Sequence, residues 1–420
     1  MADRGPRPEI SLWLLAAAVV RRPTQSALDH TMTDFSPQRP LRVCYFGTYR
    51  AGYTRNQIML KGLQAQPDVA VHVCHATLWQ GIEDRVRQAS GGWRRPAFWR
   101  RVVGTYRQLI RNHAATPEYD VMLIGYPGQF DAFLGRRLAH RRGKPVALDI
   151  LMSLHLVAEE RGLVAAHPAT GRLLFQLERA GLGRPDRLVA ENPEYRDYIA
   201  AKYDLPAERF RCVPHGADET VFHPRPVRPP EDHFRVTYHG GYLPSHGMDA
   251  IIGAAALLRD EAVRFEFYGN GPEKERIVGR ARELGLSNVI FHGFVSQDEL
   301  LDGLAAAHVC LGVFGTTRQA NFTVQNKVWE GLAMGRPVIS GDSPTIRAAL
   351  ADRQEVYLIA RDDAAALADG LRALRDNPSL RESIAAAGHA RYLAANSVEA
   401  IGRQMRDVLA ELATRCDALS

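Results

Sequence analysis

Thr323-Val-Gln-Asn-Lys-Val-Trp-Glu-Gly-Leu-Ala-Met-Gly-Arg-Pro-Val-Ile-Ser340 reads as a polar loop, a short helix, a Gly-Arg-Pro turn and a buried strand. Val324, Val328 and Leu332 recur every four positions and face a core, while Asn326, Lys327 and Glu330 share another face. One helix thus carries both packing and a polar site. An anion placed before Val324 meets N–H groups without intrahelical partners and the positive end of the helix dipole. Glu330, about one and a half turns further in, is placed to hold two vicinal hydroxyls.

Working outward, short apolar runs alternate with helical patterns. The expected strands of a first series are Leu41 to Phe46, Val69 to Cys74, Asp120 to Gly125, Pro145 to Ile150, Arg187 to Ala190 and Phe210 to Val213. After the proline-rich Pro224 to Pro230 a second series follows, with Phe234 to His239, Val263 to Tyr268, Val289 to His292, Val309 to Val313, Pro337 to Ile339 and Glu355 to Ile359. Such alternation is the pattern of parallel sheets covered on both faces. At 420 residues the chain exceeds what one core usually serves. The expected fold is α/β, with two doubly wound, Rossmann-like domains facing a cleft. The expected boundaries are 41–223, a linker at 224–234, 235–395, and a C-terminal helix over 396–420 that crosses back.

Composition excludes several classes. With 46% hydrophobic and 24% charged residues the chain is not mostly disordered. Cys44, Cys74, Cys212, Cys310 and Cys416 are scattered, odd in number and without a C-x-x-C pair, which argues against a disulfide framework and structural zinc and for a reducing cytoplasm. No metal ligands are expected. A net charge of +6 favours anionic ligands or surfaces. Ile10 to Val20 is too short for a bilayer-spanning helix, which needs about 20 residues, and Arg21-Arg22-Pro23 follows where a signal peptide would place small residues. Residues 1–40 are read as an extension dispensable for chemistry, with Met32 as an alternative start.

Ligands of doubly wound sheets bind beyond the carboxyl ends of the strands. Phe46-Gly-Thr-Tyr-Arg-Ala-Gly-Tyr-Thr-Arg-Asn56 follows the first strand; Gly47 and Gly52 lack the spacing of a dinucleotide fingerprint and serve either a ligand cradle or a tight turn. In the second series His239-Gly-Gly-Tyr-Leu-Pro-Ser-His-Gly247, Tyr268-Gly-Asn-Gly-Pro272, Phe291-His-Gly-Phe-Val295 and Gly312-Val-Phe-Gly-Thr-Thr-Arg318 all close strands with glycine.

These segments, with Cys212-Val-Pro-His-Gly-Ala-Asp-Glu-Thr-Val-Phe-His-Pro224 and the Lys327 to Ile339 stretch, resemble in order the motifs of retaining nucleotide-sugar glycosyltransferases of the GT-B fold, family four. The resemblance covers Leu41 to the end. It implies a nucleoside diphosphate sugar as donor, no cofactor and no metal, and retention of configuration, with the donor phosphate helping to deprotonate the acceptor. It implies donor contacts from Gly47, Gly240, Gly241, Gly269, Gly271, Phe294, Val295, Arg318, Thr323, Val324, Asn326, Lys327 and Glu330. Lys327 and Glu330 carry the chemistry with Asp149 and His155, and Arg55, Asn56, Tyr126 and Asp149 face the acceptor. Asp149 as a helix cap and His155 as a core histidine are the structural alternatives.

The sequence departs from that family in two places. Phe322 occupies the position of the first motif glutamate, and Gln325-Asn-Lys327 resembles the Pro-Asn-Lys variant of members that lack it. The arginine and lysine that usually grip the diphosphate near this loop are absent, with Tyr242 and His246 in the neighbourhood, so Lys327 or Arg318 is expected to supply that charge. Two rival readings are a non-catalytic nucleotide-sugar-binding homologue and an epimerase, the latter lacking an evident acid and base pair.

Trp93 to His113 carries Arg94, Arg95, Arg100, Arg101, Arg107 and Arg111 and no acidic residue, with Phe98, Val102, Tyr106, Leu109 and Ile110 at helical spacing. It reads either as a helix resting on the anionic inner face of a membrane, where a lipid-linked acceptor would lie, or as a core helix with a solvated arginine face. No nucleic-acid-binding module surrounds it.

Overall fold

Among the described residues short apolar runs form twelve strands, each where the sequence places one. The computed structural model describes residues 39–78 and 95–417. Residues 1–38 of the expected extension, and Trp93 and Arg94 of the basic segment, lie outside the described residues. Residues 40–420 form one compact unit that holds two sheets.

The first sheet contains β1 (Leu41–Gly47), β2 (Val69–His75), β3 (Val121–Ile124), β4 (Val146–Ile150), β5 (Arg187–Ala190) and β6 (Phe210–Cys212), in the order β2-β1-β3-β4-β5-β6. The second contains β7 (Phe234–His239), β8 (Val263–Tyr268), β9 (Val289–Gly293), β10 (Val309–Leu311), β11 (Val338–Gly341) and β12 (Tyr357–Ile359), in the order β12-β11-β10-β7-β8-β9. Their ladders are parallel throughout. Each sheet reverses its strand order once, between β1 and β3 and between β7 and β10, and those points open the crevices where ligands of such sheets bind.

Both faces of each sheet are covered. Helix α1 (Thr54–Gln64) packs one face of the first sheet, and α2 (Pro96–Ala115) and α3 (Pro193–Tyr203) pack the other. The last helix, α6 (Val398–Asp417), returns to the first sheet, as expected. Its Ile401, Met405 and Leu409 join Val43, Ile58 and Leu63 in one buried cluster. This crossing needs glycine at Gly62 and Gly402, because a Cβ on Gly402 would lie 2.0 Å from the Gly62 carbonyl oxygen.

Two helices depart from expectation. The segment entering the Lys327 helix forms its own short turn, α4 (Arg318–Phe322), with Thr323 as its C-cap; α5 (Asn326–Ala333) therefore starts two residues after Val324. In α2, Ile110 faces solvent rather than the core, as do Trp99 and Val103, while Leu109 and His113 are buried. Among the described residues no helix is long and apolar enough to cross a membrane.

Candidate functional site

The crevice between β7 and β10 gathers the polar face of α5 and the loop after β7. Lys327, in the first turn of α5, is 5% exposed, and its Nζ lies 3.1 Å from His246 Nδ1 and 4.3 Å from the centroid of the Tyr238 ring. No carboxylate pairs with it among the described residues. Burial drives the Lys327 ammonium down to about 7, opposed by the charge of Glu330. His246 is held neutral by burial and by Lys327, and its Nδ1 is shared between Lys327 and the Tyr238 hydroxyl, which lies 2.7 Å away. The loop geometry explains the close approach: Gly240, at φ +135°, would place a Cβ 3.0 Å from Lys327 Nζ.

Glu330, one turn along α5, accepts from His239 Nε2 at 2.6 Å through Oε2. Lys327 and Glu330 are therefore not a solvated i, i+3 pair. Each is tied to the end of β7, and the spacing that put them on one face brings both into the crevice. The amino end of α5 has no side-chain cap and no acidic residue in its first turn. A buried cation and uncapped amides at one point make a site for an anion.

The remaining donor-side residues fall into three groups. Phe294, 83% exposed, stands after β9 beside Val295 at the rim of the second sheet. Arg318 is exposed with its guanidinium 6.0 Å from the Tyr198 ring, so Lys327 and not Arg318 reaches the β7 loop. Asn326 keeps its place in the first turn of α5, but Thr323 spends its hydroxyl on the Gln319 carbonyl, and the Val324 amide faces the buried Glu191 carboxyl.

Several of the residues expected to contact ligands are engaged in packing. Gly269 and Gly271 press on Gly240 and Gly241, where added Cβ atoms would lie 2.2 and 1.7 Å from carbonyl oxygens; these glycines serve loop against loop. Gly47 ends β1 in the first sheet, against Asp131, which accepts from the Thr48 amide at 2.6 Å. Arg55 and Asp149, both fully buried, pair through two bonds of 2.9 Å, and Arg55 also donates to the Val213 and Pro214 carbonyls. Asn56 uses its whole hydrogen-bonding capacity on Tyr45, Arg50 and the backbone of Tyr126. Arg55, Asn56 and Asp149 thus form a buried strut under the carboxyl edge of the first sheet rather than an acceptor surface, and buried Tyr126 is part of it. His155 sits against Phe175 with ring centroids 5.4 Å apart, lowered in pKa by burial.

Four residues to which the sequence reading gave no role in the site stand at this crevice or beside the segment that enters α5. His239 and His246 were visible in the β7 loop, yet only the fold gives them Glu330 and Lys327 as partners. Glu191, buried after β5, is pushed up to about 8 by desolvation. His215 is buried beside Asn326, and burial, with the charge of Arg55, lowers it to about 3. No local pattern marks either.

Residues 233–377 match the family described as glycosyl transferases group 1. EpsD of Bacillus subtilis is 29% identical over 326 residues, covering 73% of this chain and 81% of its own. A D-inositol 3-phosphate glycosyltransferase of Acidothermus cellulolyticus is 28% identical over 321 residues, covering 70% of this chain and 69% of its own. Among solved structures, sucrose-phosphate synthase from Thermosynechococcus elongatus superposes with a TM-score of 0.66 at 17% identity, over 90% of this chain and all (100%) of that one. Anabaena HepE in complex with UDP-glucose gives 0.62 at 15% identity, over 89% and 100%. The fold is GT-B.

Proposed function

From glycosyltransferase activity of the group 1 kind, which the family match and the relatives support, we propose that this chain moves a hexosyl or N-acetylhexosaminyl group from a nucleoside diphosphate sugar to an acceptor held by the first sheet's half. The observation that carries the reading is the buried, carboxylate-free ammonium of Lys327 at the amino end of α5.

The bond from the anomeric carbon to the diphosphate oxygen breaks with its electron pair on that oxygen. Charge grows there, and Lys327 with the first amides of α5 stabilises it from fixed positions, with no metal needed. The acceptor hydroxyl attacks from the same face, its proton passing to the leaving phosphate, so configuration is retained. Glu330, one oxygen held by His239, keeps Oε1 to accept from the ribose hydroxyls. Phe294 and Val295 border the base. Uridine is the first base to test, because HepE, a neighbour in fold, was solved with UDP and UDP-glucose.

The acceptor is proposed to be lipid-linked, met at the membrane surface. At about 100° per residue, Trp99, Val103 and Ile110 fall within a narrow outward stripe of α2, flanked by exposed Arg100, Arg107 and Arg111. Flotation with anionic vesicles should recover the protein and neutral vesicles should not; equal recovery removes this element. The donor assignment is tested by incubation with uridine, guanosine and thymidine diphosphate sugars in EDTA. Release of free nucleoside diphosphate with acceptor extract supports it. Neither release nor donor-induced stabilisation with any sugar rejects it.

A further inference from the structure

The donor helix is positioned by the other half of the molecule. The segment leading into α5 is gripped by residues that follow β5 or lie near it. Asn192 Nδ2 donates to the Phe322 carbonyl oxygen at 2.9 Å, while Asn192 Oδ1 accepts from the Tyr195 amide at 2.8 Å and so caps α3. The Phe322 ring stacks on Tyr198, centroids 4.7 Å apart, and leans on Tyr195 at 6.2 Å. The Gln319 amide donates to Glu160 at 2.7 Å. Phe322, which replaces a glutamate in the related motif, thereby becomes an apolar anchor in the first half's core.

We propose that Asn192 is a positioning residue for donor binding: its one amide joins the cap of α3 to the backbone that enters α5, and so fixes where Lys327 and the first α5 amides point. This rests on the donor reading above. The carboxamide is the chemistry required, because one group must accept from Tyr195 and donate to Phe322 at once. A carboxylate can do only the first, and it would set an anionic oxygen against the Phe322 carbonyl. A methyl group can do neither.

The discriminating variant is therefore Asn192→Asp, which keeps a good helix cap while deleting the hydrogen bond from Asn192 to the Phe322 carbonyl. Wild type, Asn192→Asp and Asn192→Ala are compared with the donor that stabilises wild type most. For Asn192→Asp, donor KM should rise about tenfold, the loss expected for one hydrogen bond, with kcat at saturating donor within about twofold. Its melting temperature without donor should stay within about 2 °C of wild type, whereas Asn192→Ala should melt lower because the cap is gone. An unchanged donor KM in Asn192→Asp overturns the proposal and leaves the donor site standing. Equal losses of melting temperature in both variants also overturn it, showing Asn192 to be structural. A wild type that binds no nucleotide sugar overturns both this inference and the reading beneath it.

Discussion

Lys327 Nζ lies 3.1 Å from His246 Nδ1, and no carboxylate among the described residues completes the pair. The cation comes from α5 and meets, in the crevice, the loop after β7 that carries His246.

That placement makes pH a probe. The Lys327 ammonium titrates near 10.5 when unfolded and about 7 when folded, chiefly through burial. Between those values the unfolded chain binds the extra proton, so stability should rise with pH by ~1.4 kcal/mol per unit relative to a variant lacking the amine. Denaturant titrations of wild type and Lys327→Met at pH 7, 8 and 9 read the difference directly. A bound diphosphate favours the protonated amine, so donor affinity should weaken as pH climbs above about 7 in wild type and stay flat in the variant. Parallel pH curves for the two proteins would remove Lys327 from the site.

Glu330 offers a separate test. Glu330→Gln keeps the size of the side chain and an oxygen for His239, but loses the charge that strengthens hydrogen bonds from ribose hydroxyls. Donor affinity should fall about tenfold, with little change in melting temperature. A competition series with the 2′-deoxy nucleotide should show that wild type and variant differ less on the deoxy ligand. An equal loss on both ligands would place Glu330 elsewhere.

Asp149 should behave as a structural residue. With both oxygens on Arg55 and no exposure, Asp149→Asn leaves a buried guanidinium without its counter-charge, at a cost of about 3 to 5 kcal/mol. Donor affinity of the folded fraction should be unchanged. A variant with wild-type stability and abolished turnover would restore Asp149 to the reaction.

The sheets were legible because the strands are short apolar runs, many of them closed by glycine, and Arg187 to Ala190, Phe234 to His239 and Val263 to Tyr268 have the bounds expected from that pattern. The start of α5 was not, because Arg318 to Phe322 takes a helical turn of its own and Thr323 ends it. Lys327 and Glu330 were legible through helical spacing, which is local. Their partners, His239 at the end of β7 and His246 in the loop after it, stand about 80 to 90 residues earlier in the chain, and only sheet order brings them together. The pairing of Arg55, in α1, with Asp149, near the end of β4, was not legible, because a charged residue reads alike whether it faces a ligand or a buried counter-ion. Phe322 looked like a lost function, and its stacking on Tyr198 is invisible until the two halves meet.

The central claim, that the amino end of α5 with Lys327 receives the donor's diphosphate, is tested most directly by titrating UDP into wild type and Lys327→Met by calorimetry at pH 7. The account predicts about 100-fold weaker binding in the variant, the loss of a buried charge-assisted contact, together with a higher melting temperature without ligand. Equal affinity of the two proteins for UDP would contradict it.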